Sequence, residues 1–228
     1  MGVPYQAGVA AGVPVVRTGE ERATLVRRTY ALVLVSVIVT MVGISFAFSQ
    51  PALLGAVARN QIIVMLLSFA PLLIAMWKKP DFPMNLGLVL LFNFVVGVAI
   101  SPVLYFFSQT RPGIIAQAAT LTLGAFGILT LYAFVSRRDF SAWGSFLTVG
   151  LWVLIGTMLL NLFFRNPMAD VFLAGVTVLL FSGLLIYDTW RLRNRYGPDE
   201  YVGAAVQIYL DLLNMFMAIL RLLGSRRN

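Results

Sequence analysis

The sequence predicts an all-α polytopic membrane protein with seven transmembrane helices, the last of them central and surrounded by the other six. Hydrophobic residues make up 60% of the 228 residues, and charged residues only 11%. Soluble domains are roughly half apolar and a quarter charged. The mean hydropathy is +0.88, and the apolar residues fall in runs of about twenty, the length that a bilayer requires. A soluble enzyme is therefore excluded.

Two residue types are absent from the chain, and their absence limits the kinds of catalytic and metal site that it can form. The chain has no cysteine and no histidine, which excludes disulfides, His or Cys metal sites, thiolate nucleophiles and histidine triads. The net charge of +8 lies in short clusters between apolar runs, so it indicates membrane topology and not nucleic-acid binding. We expect no cofactor and no enzymatic activity.

The N-terminal residues 1–17 contain Gly, Pro and Val without a basic start, and we expect them to form a disordered cytoplasmic tail. Thr18 and Glu21 have the spacing of a capping box that opens the first helix. Residues 18–224 are predicted to form a single seven-helix domain, and residues 225–228 a short basic tail.

Six apolar segments are each near the spanning length. They are Thr29–Phe48, Gln61–Trp77, Met84–Phe107, Ile114–Val135, Ala142–Phe164 and Ala169–Trp190.

The seventh segment, Tyr201–Leu223, is long enough to span but carries Gln207, Asp211 and Asn214. An ionised Asp near the centre of a lipid-facing helix costs about 2.5–3.5 kcal/mol. Burial against the other helices avoids this cost, so we predict that the seventh helix is central.

Lys and Arg residues are concentrated before the first segment and in the even-numbered connectors. The positive-inside rule then places the N-terminus in the cytoplasm, and we expect a multi-pass protein of a prokaryotic inner membrane. The C-terminus has two alternatives: it lies outside if the seventh segment spans, and it returns to the cytoplasm if that segment breaks midway.

Seven of the nine acidic residues lie in connectors or at the ends of predicted helices, and Asp188 and Asp211 are the two that remain inside. The sixth and seventh segments form a hairpin that turns near residues 194–198, so antiparallel packing can bring the two carboxyls together. Their depths differ by roughly 9 Å if both helices end level, and a longer sixth helix would close this gap. Two close carboxylates in a low dielectric favour sharing one proton.

Carboxylate oxygens also suit hard cations such as Ca²⁺, so Asp188 and Asp211 are candidate weak calcium contacts. Asn214, Tyr187 and Tyr209 are candidate pore or cation-contact residues. Two other interpretations stay open. Each Asp could simply hydrogen-bond a neighbouring helix, or the pair could activate water as in an intramembrane aspartyl protease, although the bulky residues around both Asp do not favour peptide access.

The stretches Gly183–Thr189 (GLLIYDT) and Ala204–Phe216 (AAVQIYLDLLNMF) resemble the Bax inhibitor-1 family. The hydropathy of Arg27 to Gly224 agrees with that resemblance. It implies a seven-helix fold with a central last helix, and a pH-sensitive calcium leak in which Asp188 and Asp211 are the proton sensor and gate.

Bacterial members of the family have an arginine near the end of the second helix that latches onto this pair. The present chain has Lys78 and Lys79 there. A lysine lacks the bidentate geometry of arginine, so these residues are candidate latches and equally candidate topology signals.

The leading interpretation is a monomeric, non-enzymatic calcium leak channel whose partners are lipid, Ca²⁺ and H⁺. One alternative is a membrane interaction protein that modulates a membrane-anchored protease, with residues 1–16 as its handle. A proton-coupled transporter is a third, but the sequence has no inverted repeat that favours it.

Overall fold

A computed structural model describes residues 19–78, 83–164 and 166–225; the predicted tail 1–17 and cap Thr18 lie outside this part of the chain. The regular structure of the described residues is helical. In chain order the helices are α1 Gly19–Phe48, α2 Pro51–Arg59, α3 Gln61–Ser68, α4 Ala70–Lys78, α5 Met84–Thr110, α6 Ile114–Val135, α7 Trp143–Phe164, α8 Pro167–Asn194 and α9 Tyr201–Ser225.

Six of these helices (α1 and α5 to α9) are long and apolar enough to cross a membrane, and the number rises to seven if the short helices before α5 count as one bent span. The predicted second span, Gln61–Trp77, is divided between α3 and α4, with a break at Phe69. Pro71 explains the break, since it has no N–H to donate to the carbonyl one turn earlier. The helix α2 lies at 95° to the segment that follows it.

The broken segment returns the chain to the side of the membrane where α1 begins. α1 and α5 run parallel, because Gly97 lies against the Thr40 carbonyl and Phe48 packs on Tyr105 further along both helices. α3 and α4 run antiparallel to α5: Gln61 donates to the Ala99 carbonyl at 3.0 Å, and Phe69 packs on Phe92. The chain therefore crosses back between α1 and α5, by way of α3 and α4.

Within the described residues, α9 packs against α1, α5, α6 and α8, and its enclosure by all six other spans stays a prediction. It is continuous to Ser225, and Arg111 after α5 donates to the Leu223 carbonyl at 3.2 Å. The end of α9 thus lies beside the α5–α6 connector, on the side opposite the α8–α9 connector. Of the two alternatives for the C-terminus, the structure supports a seventh segment that crosses.

Candidate functional site

The α8–α9 hairpin positions the two intramembrane aspartates. α8 continues past the predicted end of the span at Trp190 to Asn194. Backbone bonds from Arg195 and Tyr196 to the Arg191 carbonyl, at 2.7 and 3.2 Å, end the helix. Gly197 then donates its N–H to the Glu200 carboxylate, and α9 starts at Tyr201.

The Asp188 and Asp211 side chains are buried and lie beside each other. Asp188 is 7% exposed and Asp211 is 3% exposed. A hydrogen bond between two carboxyl groups requires a proton on one of them, because a carboxylate only accepts. If both were ionised, Asp211 Oδ2 would be buried without any donor. A proton-sharing pair, as the sequence predicts, would meet this requirement, and the sharing itself stays a prediction.

Arg191 is the cation beside this pair. Its Nη1 lies 3.0 Å from Asp188 Oδ1, one helical turn earlier on α8. The same nitrogen donates to Gln207 Oε1 on α9 at 2.7 Å. The guanidinium also lies 5.5 Å from the ring centroid of Tyr187 and 5.0 Å from that of Tyr196, within the range of cation–π attraction.

Tyr196 completes the polar network at the end of α8. Its hydroxyl donates to Gln207 Oε1 at 2.7 Å, so Gln207 accepts from both Tyr196 and Arg191. Burial raises the pKa of Tyr196 above its ordinary value of 10.0, which keeps the phenol neutral and able to donate. The network joins α8 to α9 next to the aspartates.

The charges of the site do not balance without a proton. Two ionised carboxylates beside one guanidinium would leave a net negative charge in a low-dielectric interior, which is costly. One proton between Asp188 and Asp211 removes this excess. In the described residues no cluster of three or more acidic side chains could hold a metal ion, so the pair can offer only part of a cation's coordination shell.

The model of the family described as "Inhibitor of apoptosis-promoting Bax1" matches residues 22–228. The chain belongs to the Bax inhibitor-1 family. Three relatives cover nearly all of it. Bax inhibitor 1 of Schizosaccharomyces pombe is 33% identical over 91% of this chain and 78% of its own length. Protein lifeguard 4 of Mus musculus is 33% identical over 90% and 86%. An uncharacterized protein of Campylobacter jejuni is 32% identical over 90% and 90%.

The family resemblance inferred from the two motifs is thus confirmed, and a multi-pass membrane protein is shown. Two other candidate residues of this Bax inhibitor-1 family member, Tyr187 and Asn214, make contacts of their own. Tyr187 stacks on Trp190 and reaches α7, where its hydroxyl occupies the space beside Gly144. Asn214 donates to the Leu210 carbonyl of its own helix at 2.8 Å.

Tyr209 does not face the pair. It bonds Thr40 of α1 at 2.6 Å, because two residues along a helix turn a side chain by about 200° relative to Asp211. Lys78 ends α4, but its side chain is not described, and Lys79 lies outside the described residues. A lysine latch therefore stays a prediction.

The sequence interpretation of this family member missed Arg191 as a partner of Asp188 and counted it only as a topology signal. The available signal was the spacing, since residues three apart on a helix share a face. Tyr196 was missed because it lies in the connector, where its contact with Gln207 depends on the path of the turn.

Proposed function

We propose that this protein is a calcium leak channel of the inner membrane, with its N-terminus in the cytoplasm, whose opening depends on pH through Asp188 and Asp211. The observation that carries the proposal is the buried contact between these two carboxyls. Ionisable groups within transmembrane segments are costly and usually mark ion pathways or proton relays.

The shared proton holds α8 and α9 together at this point. When the proton leaves, the carboxyl–carboxyl hydrogen bond is lost and two like charges remain beside a single guanidinium. Repulsion between them favours separation of the helices. The proton therefore biases a two-state element, which is how a local charge change controls a larger movement.

The same pair provides oxygen ligands for a passing cation. Ca²⁺ takes six to eight oxygens, and two carboxylates supply only some of them, so water and backbone carbonyls would complete the shell. A partial site of this kind suits weak contact and release and does not suit storage. Conduction requires binding that is weak enough for the ion to leave.

Purified protein in liposomes loaded with a Ca²⁺-sensitive dye tests the proposal, with influx measured above and below neutral pH. We expect the wild-type flux to depend on pH and this dependence to be lost in both Asp188→Asn and Asp211→Asn. Asp199→Asn is the matched control, because Asp199 is an exposed carboxylate in the same hairpin and should leave the dependence unchanged.

Liposomes that stay as tight as empty ones with all four proteins would overturn the proposal. The protease-modulator alternative would then be tested by partner capture from native membranes, with and without residues 1–16. A flux that keeps its pH dependence in both Asn variants would retain the channel but remove the aspartate gate.

A further inference from the structure

The helix α7 has one neighbour in the bundle. Among the described helices it packs against α8 alone. Two glycines lie in this interface, where small residues allow membrane helices to approach closely. Gly150 of α7 lies against Leu180 of α8, and Gly183 of α8 lies against Leu147 of α7. Both contacts give the same antiparallel register, which continues along α8 toward the aspartate pair.

The next contact in this register is between Gly144 of α7 and Tyr187 of α8. A Cβ on Gly144 would overlap the hydroxyl group and the ring of Tyr187. The ring has little room to retreat, because it also stacks on Trp190, with centroids 6.0 Å apart and planes at 23°. Trp190 is itself buried. Position 144 therefore needs a residue without a side chain if Tyr187 is to keep this place.

Tyr187 in turn contacts the cation beside the aspartates. Arg191 is four residues later on α8 and so shares the face of Tyr187. Its guanidinium lies 5.5 Å from the ring centroid of Tyr187, and its Nη1 lies 3.0 Å from Asp188 Oδ1. A free arginine side chain has many rotamers, so a ring that restricts the guanidinium also restricts the ion pair. Printed contacts thus connect Gly144 to Asp188 through two side chains.

The charged and titratable groups near this chain of contacts come from α1, α8, α9 and the α8–α9 connector. The helix α7 contributes none, because its residues Trp143–Phe164 include no ionisable side chain. It can therefore influence the pair only through packing. The groups are Tyr30 on α1, whose hydroxyl lies 3.3 Å from that of Thr189, Tyr187 and Arg191 on α8, Arg195, Tyr196 and Glu200 in the connector, and Asp211 on α9.

We propose that Gly144 is a positioning residue for the aspartate pair: its lack of a side chain lets Tyr187 lie where its ring keeps Arg191 on Asp188. The inference rests on the proposed function, to which it adds α7 as a helix that adjusts the gate by packing. A larger residue at 144 displaces the ring and loosens the ion pair. Because a nearby cation favours the ionised carboxylate, the pair then keeps its proton to higher pH.

Trp190 fluorescence tests the position of the ring in the full-length protein. The other three tryptophans are exposed and are first changed to phenylalanine; they are Trp77, Trp143 and Trp152. Gly144→Ala should then change the emission of Trp190 at fixed pH, because it moves the ring that stacks on this residue. Gly183→Ala is the matched control: its Cβ would meet a leucine of α7 in the same interface, and the emission should stay unchanged. Unchanged emission for Gly144→Ala would mean that α7 moves aside, and would overturn the proposal.

The effect on the pair is measured in two ways: by liposome calcium flux, and by the infrared band of protonated carboxyl groups, assigned through its loss in Asp211→Asn. Gly144→Ala should raise both pH midpoints by about half a unit, as expected for a weakened cation–π contact, and Gly183→Ala should raise neither. In a Tyr187→Leu background Gly144→Ala should add nothing, because the ring is already gone.

Midpoints that Gly144→Ala leaves unchanged, or a further shift in the Tyr187→Leu background, would contradict the positioning role. The two readouts also separate this inference from the proposed function. An infrared midpoint that shifts as expected while no variant conducts calcium would support the role of Gly144 and remove the channel.

Discussion

Arg191 Nη1 lies 3.0 Å from Asp188 Oδ1, one turn away on the same helix. The arginine side chain is 31% exposed, whereas that of Asp188 is only 10% exposed. The ion pair therefore connects a buried carboxyl to the end of α8, where the guanidinium also reaches Gln207 of α9. Because a nearby cation favours the ionised carboxylate, Arg191 should set the pH at which the pair exchanges its proton.

The variant Arg191→Gln removes this cation. We expect the midpoint of the pH-dependent calcium flux to move upward by about one pH unit or more, because Asp188 without its cation keeps a proton to higher pH. The measurement is the liposome flux at closely spaced pH values.

Arg193→Gln is the control for the loss of a charge at the same end of α8. Arg193 donates to carbonyls at the end of α6, including Phe134 at 2.7 Å, so its removal should lower stability without moving the midpoint. If both variants left the midpoint unchanged, Arg191 would have only a structural role.

The two aspartates could be singled out from the sequence, because an acidic residue within an apolar span is rare and costly and the two flank one turn. Their role as a proton-sharing pair stays a prediction. It was not sufficient for Arg191, because a basic residue near a helix end also serves as a topology signal. Hydropathy likewise predicted an unbroken second span, since it counts apolar residues and ignores the N–H that Pro71 lacks.

Tyr196→Phe removes the hydroxyl that joins the connector to Gln207. At neutral pH we expect it to lower stability by about 0.5–1.5 kcal/mol, the usual value of one hydrogen bond. The extra stability that the Tyr196 hydroxyl gives the wild-type protein should then be lost as pH rises above about 10. Burial raises the pKa of Tyr196 in the folded state, so above its ordinary pKa the unfolded state ionises first and gains stability.

Melting temperatures of both proteins from neutral to strongly alkaline pH measure this effect. The difference between them should be constant below about pH 9 and shrink above about pH 10. A difference that stays constant over the whole range would mean that Tyr196 is not shielded by burial.

Gly97→Ala should disturb the crossing of α1 and α5. A Cβ at this position would overlap the backbone oxygen of Thr40, and a backbone atom cannot move aside without displacing its helix. We expect a loss of about 1–3 kcal/mol, as for other overpacked sites. Gly124→Ala is the control, because nothing lies within 4 Å of a Cβ there, and it should be neutral or slightly stabilising. Equal melting temperatures for the two variants would contradict the close crossing.

The absence of cysteine allows the direction of α9 to be tested with single introduced thiols. Ser141→Cys and Asp199→Cys place exposed thiols in the connectors after α6 and α8, whereas Gln109→Cys and Ser225→Cys place them near the ends of α5 and α9. Because Arg111 bonds the Leu223 carbonyl, the second pair should lie on one side of the membrane and the first pair on the other. The positive-inside rule assigns the first pair to the cytoplasm.

A membrane-impermeant maleimide applied to intact cells should therefore label residues 109 and 225, and should reach 141 and 199 only after the membrane is opened. Labelling of 225 together with 199 would mean that α9 does not cross.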